Sequence, residues 1–209
     1  MSHPAPRGAI LLATRSAGKL RELRPMFSAA GLSVVDLPEL GIPESADEEG
    51  LERYATFEEN AIAKARYFRE RAGMPVVADD SGLEVEALGK LPGVRSKRWS
   101  GRTDLTGRAL DEANNALLVR SLRGVADRRA RYVCVAVYVD GRKSVVRRGE
   151  AAGVIVDEPR GDGGFGYDAH FVAAGTGRTF AELSVSEKEQ MSHRGRAFSA
   201  LIRAIAGVG

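Results

Sequence analysis

One cysteine, Cys134, stands in a chain of 209 residues, alongside one tryptophan and three histidines. A lone cysteine cannot close an internal disulfide, and with His3, His170 and His193 it offers no ligand spacing for zinc. That usage suits a reducing compartment, and a cytoplasmic protein is expected. Long apolar runs are missing as well. The longest, Tyr132–Val139, falls far short of the roughly 18–20 residues of a membrane helix. The early apolar stretch Ala9–Ala13 is brief and has no cleavage-like site after it, so neither a signal peptide nor a membrane partner is expected. Charge of one sign is scarce too: 31 Lys plus Arg face 28 Asp plus Glu, a net charge of +3. Such a balance admits an anionic ligand but argues against nucleic acid, which calls for a one-sided basic stripe. No Gly-x-Ser-x-Gly elbow occurs, so a serine hydrolase would lack the turn that exposes its nucleophile.

What is present is ordinary globular material, 44% hydrophobic and 28% charged. A chain of this length buries about 70% of its unfolded surface without staples. With no linker or internal repeat, residues 1–209 read as a single domain. Strand-like and helix-like segments alternate, which predicts an α/β fold around a mixed sheet. Ala9–Ala13 reads as a strand, followed by a helical pattern through Leu20, Leu23 and Phe27 that Pro25 should kink or shorten. Ser33–Asp36 reads as a strand and residues 40–50 as an acidic loop. Thr56-Phe57-Glu58-Glu59 reads as a capping box, opening a helix that faces Phe57, Ala61, Ile62, Ala65 and Phe68 inward. Pro75–Asp79 reads as a strand closed by a turn at Asp79-Asp80-Ser81-Gly82, with Leu83–Ala87 as a further strand. A helix over Asp104–Leu122 follows, then a hairpin, Ala130–Val139 with Arg142–Arg147, whose Asp140-Gly141 suits a type I′ turn. Gly153–Asp157 is strand-like, and the last helix should bury Ala197, Phe198, Leu201, Ile202 and Ile205.

Four segments have the residues for chemistry. Thr14-Arg15-Ser16-Ala17-Gly18-Lys19 joins a strand to a helix. Free backbone N–H groups and the helix dipole favour an anion there, and Lys19 adds a charge. The segment departs from a P-loop at Ala13 and Leu20, which disfavours a P-loop NTPase; the plain alternative is an ordinary helix start. Asp79-Asp80-Ser81 offers hard oxygen ligands for a cation such as Mg²⁺, with Glu48 and Glu59 upstream. Alternation along the backbone lets at most one of the adjacent pair enter a given site, and a surface Asx turn is the alternative. Gly161–Asp168 permits close backbone approach, and Phe165 and Tyr167 could stack on a flat ligand, or Phe165 could pack in the core. Ser192 reads as the N-cap of the final helix, putting His193 and Arg194 in its first turn. Cations there oppose the helix dipole, which points to an anionic ligand or a specific donor role.

Together and in this order, LLATRSAGKLREL, TFEENAIAKA, VVADDSGLEVEALGKLPGVRSKRWSG, GDGGFGYDAHF and TFAELSVSEKEQMSHRGRAF resemble the inosine/xanthosine triphosphate pyrophosphatase family. The resemblance implies an elongated mixed-sheet α/β fold with two lobes around a central nucleotide-binding cleft. It also implies a homodimer and Mg²⁺-dependent hydrolysis of purine nucleoside triphosphates such as ITP, dITP and XTP to monophosphate and pyrophosphate. By the same resemblance Asp80 is general base and metal ligand, with Glu48 or Glu59 completing the metal site; a short insertion around Glu52–Ala55 blurs which. Thr14, Arg15, Ser16, Ala17, Gly18 and Lys19 would hold phosphates, with Lys64 and Lys188 adding charge. Ser81, Phe165, Gly166, Tyr167, Asp168, His193 and Arg194 would bind the nucleotide, chiefly its base. Ser16 stands where the family usually has Asn, and Arg95 and Lys97 where Tyr and Ala are usual. Two other readings stay open: a Maf-like pyrophosphatase of different base preference, and a catalytically silent nucleotide-binding module. Turnover with release of pyrophosphate separates the second, and a nucleotide panel the first.

Overall fold

A computed structural model describes residues 8–207 apart from the side chain of Glu49; His3 lies outside the described residues. The elements run β1 (Ile10–Leu12), α1 (Ala17–Ala29), β2 (Val34–Asp36), α2 (Phe57–Ala72), β3 (Val76–Val85) and α3 (Gly107–Ser121). Then come β4 (Arg129–Val139), β5 (Ser144–Ile155), β6 (Phe171–Ala173), α4 (Val185–Met191) and α5 (His193–Ala206). The strands form one sheet in the order β2-β1-β3-β4-β5-β6. Strand β1 lies parallel to β2 and β3, whereas β5 and β6 are antiparallel. The predicted α/β class with a mixed sheet is therefore what the chain adopts. No helix among the described residues is long and apolar enough to cross a membrane.

Several expectations need correction. The turn at Asp79–Gly82 does not exist: β3 runs unbroken from Val76 to Val85. Gly82 has no positive φ, and Val76, Val77, Leu83 and Val85 are all buried, so apolar contact on either side keeps the segment extended. Pro25 does not shorten α1, which continues to Ala29 because Leu23, Met26 and Phe27 bury around it. In residues 40–50 the loop contains a 3₁₀ turn over Ala46–Gly50, closed by a capping box between Ser45 and Glu48. The β4–β5 hairpin forms, but its turn is not type I′, since only Gly141 takes a positive φ. Asp140 Oδ1 instead accepts from Arg142 N (2.8 Å) and Lys143 N (2.9 Å). The two strand stretches at Arg142–Arg147 and Gly153–Asp157 belong to one strand, β5. On α2 the buried face includes Asn60 and Lys64, while Ile62 is only half-buried.

The chain divides into two compact units. The first comprises the chain through Asp80, Cys134–Gly149 and Arg196 onward; the second comprises Ser81–Val133 and Glu150–Gly195. Each has its own core. In the first, Leu12, Leu23, Phe27, Val77, Cys134, Phe198 and Leu201 pack together, with Phe27 and Phe198 edge to face at 6.1 Å. In the second, Leu83, Val85, Leu118, Tyr132, Phe171 and Phe180 do the same, and the Tyr132 and Phe171 rings meet at 4.8 Å.

Helices α4 and α5 meet at Ser192, whose hydroxyl accepts from Gly195 N at 3.0 Å and so caps α5 as its sequence position suggests. Gly195 is obligatory at that junction, because a Cβ there would lie 1.7 Å from the Glu189 carbonyl oxygen. Because Phe198 is fully buried, Phe198→Ala should cost roughly 3–5 kcal/mol of folding stability. Urea denaturation measures it, and a loss under about 1 kcal/mol would mean that this core collapses around the gap.

Candidate active site

The extended backbone of β3 turns Asp79 and Asp80 to opposite faces, and both are buried. Asp79 Oδ2 lies 2.9 Å from the Lys19 ammonium and accepts a weak bond from Cys134 Sγ at 3.7 Å. Asp80 Oδ2 accepts from Asn60 Nδ2 at 2.9 Å. Asn60 in turn accepts from Tyr54 N at 2.9 Å, which ties the start of α2 to the segment before it. Lys64, one turn further along α2, donates to the Asp79 carbonyl at 3.1 Å and pairs closely with Glu52.

These charges are coupled. Burial lifts the Asp80 carboxyl above the usual carboxylate range; Lys64 and Lys19 pull it back, and Glu52 pushes it up further. Burial works against the Lys64 charge, but Glu52, Asp80 and Asp79 outweigh it and hold the ammonium above the ordinary lysine range. Two lysines thus face three carboxylates in a desolvated setting, where each electrostatic contact is stronger than in water.

Ahead of α1 the strand–loop–helix junction forms as expected. Thr14 Oγ1 accepts from Ser16 N at 3.1 Å, and Ser16 Oγ caps the helix by accepting from Lys19 N at 3.3 Å. No acidic residue occupies the first turn, where Ala17 and Gly18 lie. Arg15 turns the other way. Its guanidinium grips both Glu48 oxygens (2.7 and 3.1 Å) and donates to the carbonyls of Ile42 and Pro43, each at 2.8 Å.

The upstream carboxylates are likewise engaged. Glu48 also accepts from Ser45 N at 3.2 Å, and Glu59 accepts from the Thr56 hydroxyl at 2.7 Å. Among the described residues no group of three or more His, Cys, Asp or Glu is arranged to hold a metal. Mg²⁺ bound by one or two carboxylates together with substrate phosphates needs no such cage. Asp80, with Glu52 close enough to act on its titration, is a hard-oxygen donor set that fits that mode. Glu52 was not picked out as a ligand in the sequence because only the fold brings it to Lys64.

The second unit holds the aromatic and cationic set. Asp168 Oδ2 accepts from Phe165 N at 2.8 Å and from Lys188 Nζ at 2.5 Å. Gly164 makes this possible, since a Cβ there would sit 2.1 Å from Asp168 Oδ2. Tyr167 does not present a stacking face: its ring belongs to the core and its hydroxyl donates to the Ser96 carbonyl at 2.8 Å. Phe165 is the half-buried aromatic of the loop, with the Lys188 ammonium 5.1 Å and the Arg194 guanidinium 5.4 Å from its ring centre. Arg194 Nη2 donates to Ser81 Oγ at 2.8 Å. The buried His193 ring stacks on Tyr132 at 4.5 Å and 7°. Phe165, Asp168, Arg194 and Ser81 are therefore brought together as the sequence suggests, whereas Lys188, expected beside Lys64 among the phosphate-binding charges, pairs with Asp168 instead. His170 is structural, its Nδ1 lying 2.9 Å from the Val156 carbonyl.

The model of the Ham1 family matches residues 10–204. A dITP/XTP pyrophosphatase of Ralstonia nicotianae is 48% identical over 196 residues, covering 92% of this chain and 94% of that protein. A solved Ham1 protein of Coxiella burnetii superposes with a TM-score of 0.82 at 33% identity, covering 96% of this chain and 99% of that one. A nucleoside-triphosphatase / dITP/XTP pyrophosphatase structure from Mycobacterium abscessus gives a TM-score of 0.70 at 41% identity, covering 94% and 99%.

The hydrogen bond from Asn60 to Asp80 can be tested directly. Asn60→Leu should lower unfolding free energy by about 1–3 kcal/mol, because it leaves a buried carboxylate short of a donor. In an Asp80→Ala background the same change should cost much less, and a urea-denaturation cycle reads the coupling. Strict additivity would show that the bond contributes nothing.

Proposed function

The chain belongs to the Ham1 family, and from that premise we propose that it hydrolyses noncanonical purine nucleoside triphosphates. ITP, dITP and XTP would yield the monophosphate and pyrophosphate, removing the wrong bases from the nucleotide pool. It is an enzyme, a hydrolase acting on acid anhydrides. The supporting observation is the buried Asp80 carboxylate, which accepts from the Asn60 amide and feels the charges of Lys64 and Lys19, while burial raises its affinity for a proton. A buried carboxylate of raised proton affinity can serve as a general base.

The mechanism follows from this chain's own groups. Thr14–Lys19 would bind phosphate oxygens through backbone N–H groups at the start of α1, and Lys19 and Lys64 would neutralise part of a triphosphate's charge. Arg15 would serve that loop by bracing it against residues 42–48 rather than by touching phosphate. Asp80 would take the proton of the attacking water. It would also hold Mg²⁺, with a second carboxylate from Glu48, Glu52 or Glu59. When bound, the metal supplies charge neutralisation on the pyrophosphate leaving group. Phe165 would stack on the base, with Gly166, Tyr167 and Asp168 holding its loop. Ser81, Lys188, His193 and Arg194 would supply donors around the base. The enzyme would act as a cytoplasmic homodimer.

The deciding experiment is pyrophosphate release from ITP, XTP, dITP, GTP and ATP with and without Mg²⁺. A nucleotide-binding module would release none, and a Maf-like enzyme would prefer other bases. Asp80→Asn keeps the shape but can neither accept the proton nor ligate strongly, so turnover should fall by ~10²–10⁴-fold with the fold intact by circular dichroism. A near-normal rate would move the base to another residue.

ITP and XTP should be cleaved much faster than ATP. They present a carbonyl at the six position, where adenine presents an amino donor, and Arg194 has only donors to offer. An unmet donor in a desolvated pocket costs ~1–3 kcal/mol, or roughly 10–100-fold. Arg194→Ala should depress ITP turnover and narrow the ITP-to-ATP ratio. GTP shares the carbonyl, so weaker discrimination is expected there. Equal kcat/KM for ITP and ATP in the unaltered enzyme would rule out the pool-cleaning role.

A further inference from the structure

We propose that Asp111 and Asn115, on a helix that carries none of the predicted site residues, are positioning residues that set base selectivity through Gly166. The inference rests on the reading that the Phe165–Asp168 loop meets the base. The two side chains sit one turn apart on α3 and reach the same residue of that loop. Asp111 Oδ2 accepts from Gly166 N at 2.8 Å, and Asn115 Nδ2 donates to the Gly166 carbonyl at 2.9 Å. These two bonds pin the peptides on either side of Gly166. The peptide ahead of Phe165 is pinned as well, because Phe165 N donates to Asp168. Three successive peptides are thereby fixed, and Phe165 keeps freedom only in its own side-chain torsions. Its ring faces the Lys188 and Arg194 cations, 5.1 and 5.4 Å from its centre, so whatever orients the loop sets where the ring meets them.

Two further facts favour positioning over mere stability. Asn115 Oδ1 is buried with no hydrogen-bond partner, so the amide is held at a cost that a plain packing residue would avoid. The pairing is also strict in direction. Gly166 offers one donor and one acceptor, and α3 presents a pure acceptor and an amide donor in matching order, four residues apart, as one helix face requires. Burial holds the Asp111 carboxyl above the usual range, while the Gly166 N–H draws it down, consistent with a carboxylate committed to that one contact.

Steady-state kinetics on the full chain with ITP and ATP test this, alongside hydrogen exchange of the Phe165–Tyr167 amides. Losing a bond to a charged acceptor should raise KM for ITP by about tenfold in Asp111→Ala. The fall in kcat should stay under about threefold, because the phosphate-handling residues are not altered. The ITP-to-ATP ratio of kcat/KM should narrow, and the Gly166 amide should exchange at least about tenfold faster. Asp111→Asn retains an acceptor oxygen and should recover most of the KM. Asn115→Leu should raise KM for ITP with the unfolding midpoint unchanged. Unchanged KM and exchange in Asp111→Ala would overturn the proposal even if the parent enzyme prefers ITP. If KM follows the loss of thermal stability and Asp111→Asn gives no rescue, the role is structural and the proposal also fails. Should the parent enzyme show no preference for ITP, the functional reading falls with the selectivity claim, and the exchange data alone decide whether α3 holds the loop.

Discussion

Two adjacent carboxylates buried in one strand impose the constraint around which the first unit is built. An isolated buried charge is prohibitively costly, and an ion pair repays its desolvation only with good geometry and further hydrogen bonds. Asp79 and Asp80 point to opposite faces of β3, so each face needs its own compensation. Lys19 comes from the first turn of α1, and Asn60 and Lys64 come from the first two turns of α2. Both helices must therefore dock with their amino-terminal ends toward this part of β3. Their apolar stripes, with Leu23 and Phe27 on α1 and Ala61, Ala65 and Phe68 on α2, agree with that placement. Packing and charge compensation select the same arrangement.

The second unit meets a similar demand with different means. Lys188 and Arg194 are buried cations; Lys188 donates to the Asp168 carboxylate and Arg194 to the Ser81 hydroxyl, and both lie over the faces of aromatic rings. Aromatic quadrupoles attract cations without offering an acceptor in a fixed direction. Tyr132 carries this further, since its ring stacks on both His193 and Phe180 and its phenol, buried near Asp168, stays firmly protonated.

What the sequence disclosed was governed by range. Features set by neighbours along the chain were legible: the Thr56 cap, the Ser192 cap, the β4–β5 hairpin and the apolar face of α5. The turn assigned to Asp79–Gly82 failed because a Gly after three polar residues outweighs, in a local reading, the apolar residues at 76–78, 83 and 85 that hold the strand straight. Asn60 and Lys64 were hard to place because polar residues on a helix normally face solvent. Glu52 was legible only as the start of a short insertion, because its partner Lys64 arises from the fold. The strand–loop–helix, carboxylate and aromatic segments were nonetheless recognisable in chain order, whereas the Tyr167 ring, read locally as a stacking face, belongs to the core.

The unbroken course of β3 has a consequence for how this protein can change. A strand has a side-chain period of two, so inserting or deleting one residue ahead of Asp79 would exchange the faces served by Asp79 and Asp80 and undo both sets of partners at once. Ser81 and the two aspartates thus move as a unit or not at all. Variation is confined to segments that can lengthen without altering that register, and the stretch at Glu52–Ala55, between the 3₁₀ turn and α2, is one that has room to do so. Such a loop can change length while the register of β3, and with it the facing of both aspartates, stays fixed.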